Sequence, residues 1–216
     1  VSAGPTREPI DPVRFISNYS SGKMGYALAE SARNLGADVE LISGPVSIKI
    51  PENIKITSVE TSAEMLYAVL GKIPYCDVFI SAAAISDYRP SHKLTEKHKS
   101  SDGELVIRLE RGEDILKLAK ETKAGLYAVG FSAETNNISD NAKIKLEKKN
   151  IDMIISNEAN HQKGLGFESD MNEVCIIEKD SMLKIPKNTK KIIADIILSR
   201  IAKNIKGNLI KIKNVR

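Results

Sequence analysis

At 216 residues, with hydrophobic residues at 42% and charged residues at 28%, the chain has an ordinary globular composition. It is long enough to bury about 70% of its unfolded surface, which excludes fibrous and disordered classes and predicts one large domain over 1–216. Lys and Arg number 32 against 28 Asp and Glu; the net charge of +4 is too small to mark a nucleic-acid track and leaves anionic small molecules open.

The first strand signal, residues 1–3, runs into a Gly- and Pro-bearing stretch (GPTREP, 4–9) expected to be an ordered loop. SGKMGYALAESARNLGA (21–37) has helical spacing, with Gly36 as its expected C-terminal cap. DVELISG (38–44) and IKITSVE (54–60) read as strands, TSAEMLYAVLGKI (61–73) as a helix capped by Thr61 or Ser62, and DVFISAAA (77–84) as a buried strand. The polar stretch HKLTEKHKSSDG (92–103) breaks the rhythm and reads as a flap or a solvated loop. ELVIRLE (104–110) is expected as a strand, EDILKLAKET (113–122) as a helix and LYAVGFSAE (126–134) as a strand. A helix through Lys149, a strand over 151–157, a hairpin over 172–187 and a closing helix over 190–205 complete the chain. The alternation predicts a Rossmann-like α/β fold, its mostly parallel sheet flanked by helices, with ligands beyond the carboxyl ends of the strands.

Cys76 and Cys175, expected in apolar strands, form neither a disulfide framework nor a metal cluster. His92, His98 and His161 are scattered without metal-ligand spacing. No apolar run reaches the roughly 20 residues that span a bilayer, and no charged-then-apolar leader precedes the first motif. A cytoplasmic setting with no membrane and no nucleic-acid partner is expected. The opening strand at Val1, without an initiating Met, fits a domain excised from something longer.

The chemistry-bearing residues cluster at predicted strand ends and helix starts. Gly4, then SSGKMG with Gly22 and Gly25, follow the logic of a phosphate-binding turn in which backbone N–H groups at a helix start meet an anion. Neither GxGxxG nor the P-loop spacing is present, and the glycines serve equally for close helix packing. Ser20 and Ser21 add hydroxyl donors, while Lys23 is less decisive. Asn18 precedes the helix with an amide able to hold a carboxylate or acyl group, or simply to brace the loop. Asp87 stands beyond the apolar strand, where a ligand-binding carboxylate or a turn cap belongs. Lys97 and Lys99 suit a triphosphate or a solvated surface. Lys145 and Lys149, at i and i+4, form either a phosphate-facing stripe or an exposed basic face, and Phe131 either stacks on a base or fills the core.

The motifs SAGPTREPIDPVRFISNYSSGKMG, SAAAISDYRP, EKHK and GFSAETN, continuing through KIKLEKKNIDMIISNE, closely resemble the phosphopantothenoylcysteine synthetase domain of coenzyme A biosynthesis. The resemblance covers nearly the whole chain. It implies activation of 4′-phosphopantothenate by CTP to an acyl-cytidylate, then amide formation with cysteine, with Mg²⁺ accompanying the nucleotide. It assigns Asn18 and Lys97 as catalytic, and Gly4, Ser20, Ser21, Gly22 and Met24 as substrate-binding. It assigns Asp87, Lys97, Lys99, Phe131, Lys145 and Lys149 to the nucleotide. The resemblance also implies a homodimer with shared active sites and a fused decarboxylase domain in the natural protein, the only part that would use FMN. EKHK departs from the KIKK-like flap of some bacterial relatives. A Rossmann-like dehydrogenase and a noncatalytic nucleotide-binding module are the competing classes; NAD(P)H titration and pyrophosphate release separate them.

Overall fold

The computed structural model describes residues 1–99, 101, 103–134, 138–158 and 169–213; His161 lies outside them. The apolar runs of the sequence become one eight-stranded sheet. Its strands are β1 (Ser2–Ala3), β4 (Glu40–Ser43), β5 (Lys55–Ser58), β6 (Val78–Ser81), β9 (Tyr127–Glu134), β10 (Met153–Glu158), β11 (Met171–Glu178) and β12 (Ser181–Thr189). The order is β12-β11-β10-β9-β6-β1-β4-β5. All pairings from β5 to β10 are parallel, and the β11–β12 hairpin adds two antiparallel strands beyond β10. From β1 the chain builds outward through β4 to β5, then crosses back to β6 on the other side of β1. The β1/β6 boundary is therefore the switch point, where the connections diverge and leave a crevice at the carboxyl ends.

Parallel strands are covered on both faces, so their side chains alternate between two cores. On one face α1 (Lys23–Asn34) and α5 (Lys190–Lys213) pack Leu28, Ala29, Ile193 and Ile197 against Met153 and Ile155. On the other, α2 (Ser62–Lys72), α3 (Ile115–Thr122) and α4 (Ile138–Lys149) pack Met65, Val69, Leu116 and Leu146 against Ala128 and Ile154. Each such Leu or Ile contributes roughly 1.5–3 kcal/mol on burial. Thr61 caps α2 as expected, its hydroxyl accepting from the Glu64 amide at 3.2 Å. Gly36 follows the end of α1 at φ +87°, its N–H and that of Ala37 closing on the carbonyls of Arg33 and Ala32.

Three expectations change. The 4–9 stretch is not all loop: β2 (Arg7–Pro9) pairs antiparallel with β3 (Phe15–Ser17). The expected strand over 104–110 contracts to β8 (Leu109–Arg111), which pairs with β7 (Tyr88–Pro90) in a second ribbon outside the main sheet. Its upstream apolar residues Val106 and Ile107 are exposed and so lack a sheet face to pack on. Cys76 lies not in a strand but after a 3-10 turn (Ile73–Tyr75), whereas Cys175 is in β11; both are free thiols raised above the usual range chiefly by burial.

Candidate functional site at the sheet switch point

The crevice is built by backbone before side chains enter it. Beyond β1, Pro5 bridges to Ala84 beyond β6, and the Ala84 N–H donates to the Gly4 carbonyl at 2.9 Å. The N-terminus of α1 is pressed onto this junction. A Cβ on Gly25 would stand 2.5 Å from that of Ala3, so only glycine lets the helix approach β1 this closely. Gly22, the N-cap, is left-handed at φ +78°; no side chain caps the first turn of α1. The Gly22 N–H donates to the Ser20 hydroxyl at 3.3 Å. The helix start therefore presents the positive end of its dipole beside Gly4, Ser20 and Ser21. Met24 turns into the core of the α1/α5 face and is half-buried. Lys23 pairs with Asp170 at 2.6 Å, and that contact holds the Asp170 carboxyl below the usual range.

Asn18 stands on the far lip. Its amide nitrogen donates to the Ala84 carbonyl at 3.0 Å, which fixes the orientation of the amide. The strand preceding it is pinned by the Ser17 hydroxyl on the Thr6 carbonyl at 2.7 Å, while the Ser86 N–H donates to the Thr6 hydroxyl at 3.0 Å. Asn18, Gly4, Gly22 and Ser20 thus converge where strand order reverses. Asp87 is exposed in the segment from β6 to β7, its carbonyl accepting from the Gly112 N–H at 2.8 Å.

The segment bearing Lys97 and Lys99 is docked at two points. The Leu94 N–H donates to the Ile10 carbonyl at 2.9 Å, and the Arg14 guanidinium donates to the His98 carbonyl at 3.0 Å. Arg14 is itself gripped by buried Asp11, which accepts from Nε at 2.8 Å and from the adjacent NH₂. The backbone N–H groups of Val13 and Arg14 donate to the other carboxyl oxygen. These bonds, that from the Arg14 side chain foremost, hold Asp11 far below the usual carboxylate range. Lys97 and Lys99 are exposed on either side of half-buried His98.

The residues expected at the nucleotide divide between the two faces of β9. Phe131 packs on the α1/α5 core, whereas Ser132, next along the strand, faces α4 and accepts from the Lys145 ammonium at 3.1 Å. Lys149 pairs with Asp114, the N-cap of α3, at 2.9 Å. A ligand touching both Phe131 and the two lysines has to wrap over the carboxyl edge of β9. Among the described residues no group of three or more His, Cys, Asp and Glu side chains is placed to hold a metal ion.

The model of the DNA/pantothenate metabolism flavoprotein C-terminal domain matches residues 1–205. The chain belongs to that family. It is 42% identical over 204 residues to the coenzyme A biosynthesis bifunctional protein CoaBC of Vibrio vulnificus, covering 93% of this chain and 51% of that one. The CoaBC of Bacillus subtilis is 46% identical over 181 residues, 83% of this chain and 44% of that one. The crystal structure of the C-terminal domain of a CoaBC superposes with a TM-score of 0.81 at 42% identity, covering 95% of this chain and 94% of that one. The chain spans about half the length of the curated relatives it matches.

Four residues that hold the candidate site residues or their segments were not singled out from the sequence: Asp11, Arg14, Asp114 and Ser132. The first two carry a local signal, since an Asp three residues before an Arg across Pro12 is a turn-forming Asx pattern. The other two are defined only by helix docking. No helix among the described residues is long and apolar enough to cross a membrane.

Proposed function

We propose that this chain is the ligase portion of a bifunctional coenzyme A biosynthesis protein, joining 4′-phosphopantothenate to cysteine at the expense of CTP. The pantothenate carboxylate attacks the α-phosphorus of CTP, pyrophosphate leaves, and an acyl-cytidylate forms. The cysteine amine then attacks the acyl carbon, CMP leaves, and the amide 4′-phosphopantothenoylcysteine remains. The observation that carries this reading is the seating of Asn18 on the Ala84 carbonyl at the β1/β6 crevice. That position suits a group that must hold a carboxylate while charge moves onto the acyl phosphate. The dinucleotide alternative is opposed by the absent GxGxxG spacing.

In this reading Asn18 orients the reacting carboxylate and Lys97 meets the charge developing on the nucleotide's phosphates, with Lys99 as a second flap cation. Gly4, Ser20, Ser21, Gly22 and Met24 frame the substrate's phosphate and acyl portions at the start of α1. Asp87, Phe131, Lys145 and Lys149 serve the nucleotide. No protein nucleophile is required; orientation and charge stabilisation do the work. The described carboxylates build no metal cage, so Mg²⁺ is expected to arrive on the nucleotide's own phosphates, and no step here runs through it. A homodimer is supported by the apolar side chains exposed around the two ribbons, Val13, Phe15, Tyr88, Val106 and Leu109, beside Asn18 and Asp87. The length of the curated relatives supports a fused decarboxylase, the part that would use FMN. Free thiols fit a reducing cytoplasmic setting.

The test incubates the chain with 4′-phosphopantothenate, cysteine, Mg²⁺ and either CTP or ATP, and follows pyrophosphate and the amide product by mass. Formation of both with CTP is the expected result. Product with ATP alone overturns the choice of nucleotide, and no product from a folded chain overturns the ligase reading.

A further inference from the structure

A hollow of about 620 Å³ runs along the flank of α1, bounded by the 48–52 segment between β4 and β5, by Asp170 and by the start of α5. Its volume falls within the roughly 300–1,000 Å³ of small-molecule sites. Gly4, Asn18, Ser20, Gly22 and Asp87 do not line it, so it is separate from the crevice. Its charge is unusual for its place in the fold. Lys23 is the first residue of α1, Lys190 and Lys191 are the first two of α5, and neither helix has an acid in its first turn. A helix start carries the positive end of the dipole and favours anions, so lysines at two such starts act against it. All of these lysines line the hollow. Lys190 is 6% exposed, and burial, then the charge of Lys23, hold its ammonium below the usual range. Asp170 answers both lysines at once. Its carboxylate pairs with Lys23 at 2.6 Å, its charge also favours that of Lys190, and its carbonyl accepts from the Lys190 N–H at 2.9 Å. The 48–52 wall adds apolar surface from Ile48, Ile50 and Pro51.

We propose that this hollow is a second ligand site, which takes an organic phosphate with its phosphate at Lys23, Lys190 and Lys191 and its apolar body against Ile48, Ile50 and Pro51. The site does not depend on the ligase reading. A dianion between the starts of α1 and α5 offsets the charge gathered there and complements both helix dipoles. Lysines suit a phosphate held as a point charge rather than gripped by a planar fork. An ammonium carries three donors, so Lys23 need not release Asp170 to meet the anion. The apolar wall then separates an organic phosphate from the inorganic ion, which gains nothing from it.

The experiment adds phenyl phosphate, inorganic phosphate or chloride, each at the same ionic strength, to the isotope-labelled chain and follows its backbone amides by NMR. Phenyl phosphate is expected to give saturable shifts over 48–52 and 189–192, with a midpoint roughly threefold or more below that of inorganic phosphate; chloride is expected to give none. Ile50→Ser, at a half-exposed position, removes the preference for phenyl phosphate and leaves the midpoint for inorganic phosphate unchanged. Lys190→Met weakens both phosphates about fivefold or more at 48–52, without moving any response at Gly4 and Gly22. Lys191→Gln, on an exposed side chain, weakens them about two- to threefold and decides the matter if Lys190→Met does not fold. Shifts confined to the crevice, an equal response to chloride, or unchanged midpoints in the folded lysine variants overturn the site. Equal midpoints for the two phosphates overturn the organic ligand. A chain that makes no amide product can still pass this test, so the ligase reading and the second site fail separately.

Discussion

Replacing Gly22 by alanine tests whether the start of α1 is held by backbone geometry rather than by its sequence alone. Two costs can be separated. At φ +78° a residue with a Cβ pays about 1–2 kcal/mol for the left-handed conformation. The added Cβ also stands 2.7 Å from Val46 Cγ1, and a short β-branched side chain relieves that overlap only by leaving its rotamer, at roughly 0.5–1.5 kcal/mol. The sum, about 1.5–3.5 kcal/mol, corresponds to a Tm decrease of roughly 3–14 °C for a chain of this size. Thermal melts of Gly22→Ala, Val46→Ala and the double variant distinguish the parts. The double variant is expected to be more stable than additivity allows by about the overlap term, 0.5–1.5 kcal/mol, while the backbone term persists. Substrate affinity, measured well below Tm, is expected to fall in Gly22→Ala and to stay low in the double variant, since the Ser20–Gly22 contact and the first turn of α1 remain displaced. A Gly22→Ala chain as stable as the parent, or strictly additive melts, would refute the account of this turn.

Other outcomes follow from the same contacts. Asn18→Ala loses the bond to Ala84 and the orientation of the site amide; it is expected to keep Tm within about 1–2 °C, because the residue is exposed, while product formation falls at least tenfold, and normal turnover rejects its role. Lys97→Gln is expected to slow pyrophosphate release more than it weakens CTP binding, a split visible by comparing single-turnover rates with calorimetry; equal losses in both place Lys97 in binding only. Arg14→Lys breaks the two-pronged grip of Asp11 and the bond to the His98 carbonyl; faster amide exchange over 94–99 is expected, and unchanged protection there contradicts the docking of the segment. Lys190 is 6% exposed, and burial, aided by Lys23, depresses its ammonium from 10.5 to about 8. Because the folded chain then binds fewer protons than the unfolded chain between those values, stability relative to Lys190→Met is expected to rise from pH 8 to pH 10; a flat difference removes the shift.

What could be read from the sequence follows from how locally each feature is determined. The strands β4, β6, β9 and β10 are apolar on both faces, so composition alone marks them, and their alternation with helices predicts the parallel sheet. The ribbons β2–β3 and β7–β8 carry no such mark. They are short, β7 and β8 are largely exposed, and β2 is anchored by distant contacts, the Arg7 N–H on the Glu60 carbonyl at 2.8 Å and the Ser62 N–H on the buried Glu8 carboxylate at 2.9 Å. The glycine-bearing turn was legible because Gly4 and Gly22 answer to local backbone geometry. The partners of Lys145 and Lys149 were not, because Ser132 and Asp114 meet them only once α4 has docked on β9 and α3. The face of Phe131 lies between these cases. Strand parity already sets Tyr127, Val129 and Phe131 opposite Ala128, Gly130 and Ser132, and the core clusters agree. Phe131 and Lys145 therefore cannot touch one flat pocket wall. If both serve one nucleotide, it must cross the carboxyl end of β9, with its ring toward the α1/α5 side and its phosphates toward α4, or the reverse. In the proposed reading the phosphates lie toward Lys145 on the α4 face, where that residue meets Ser132, and the base lies toward Phe131.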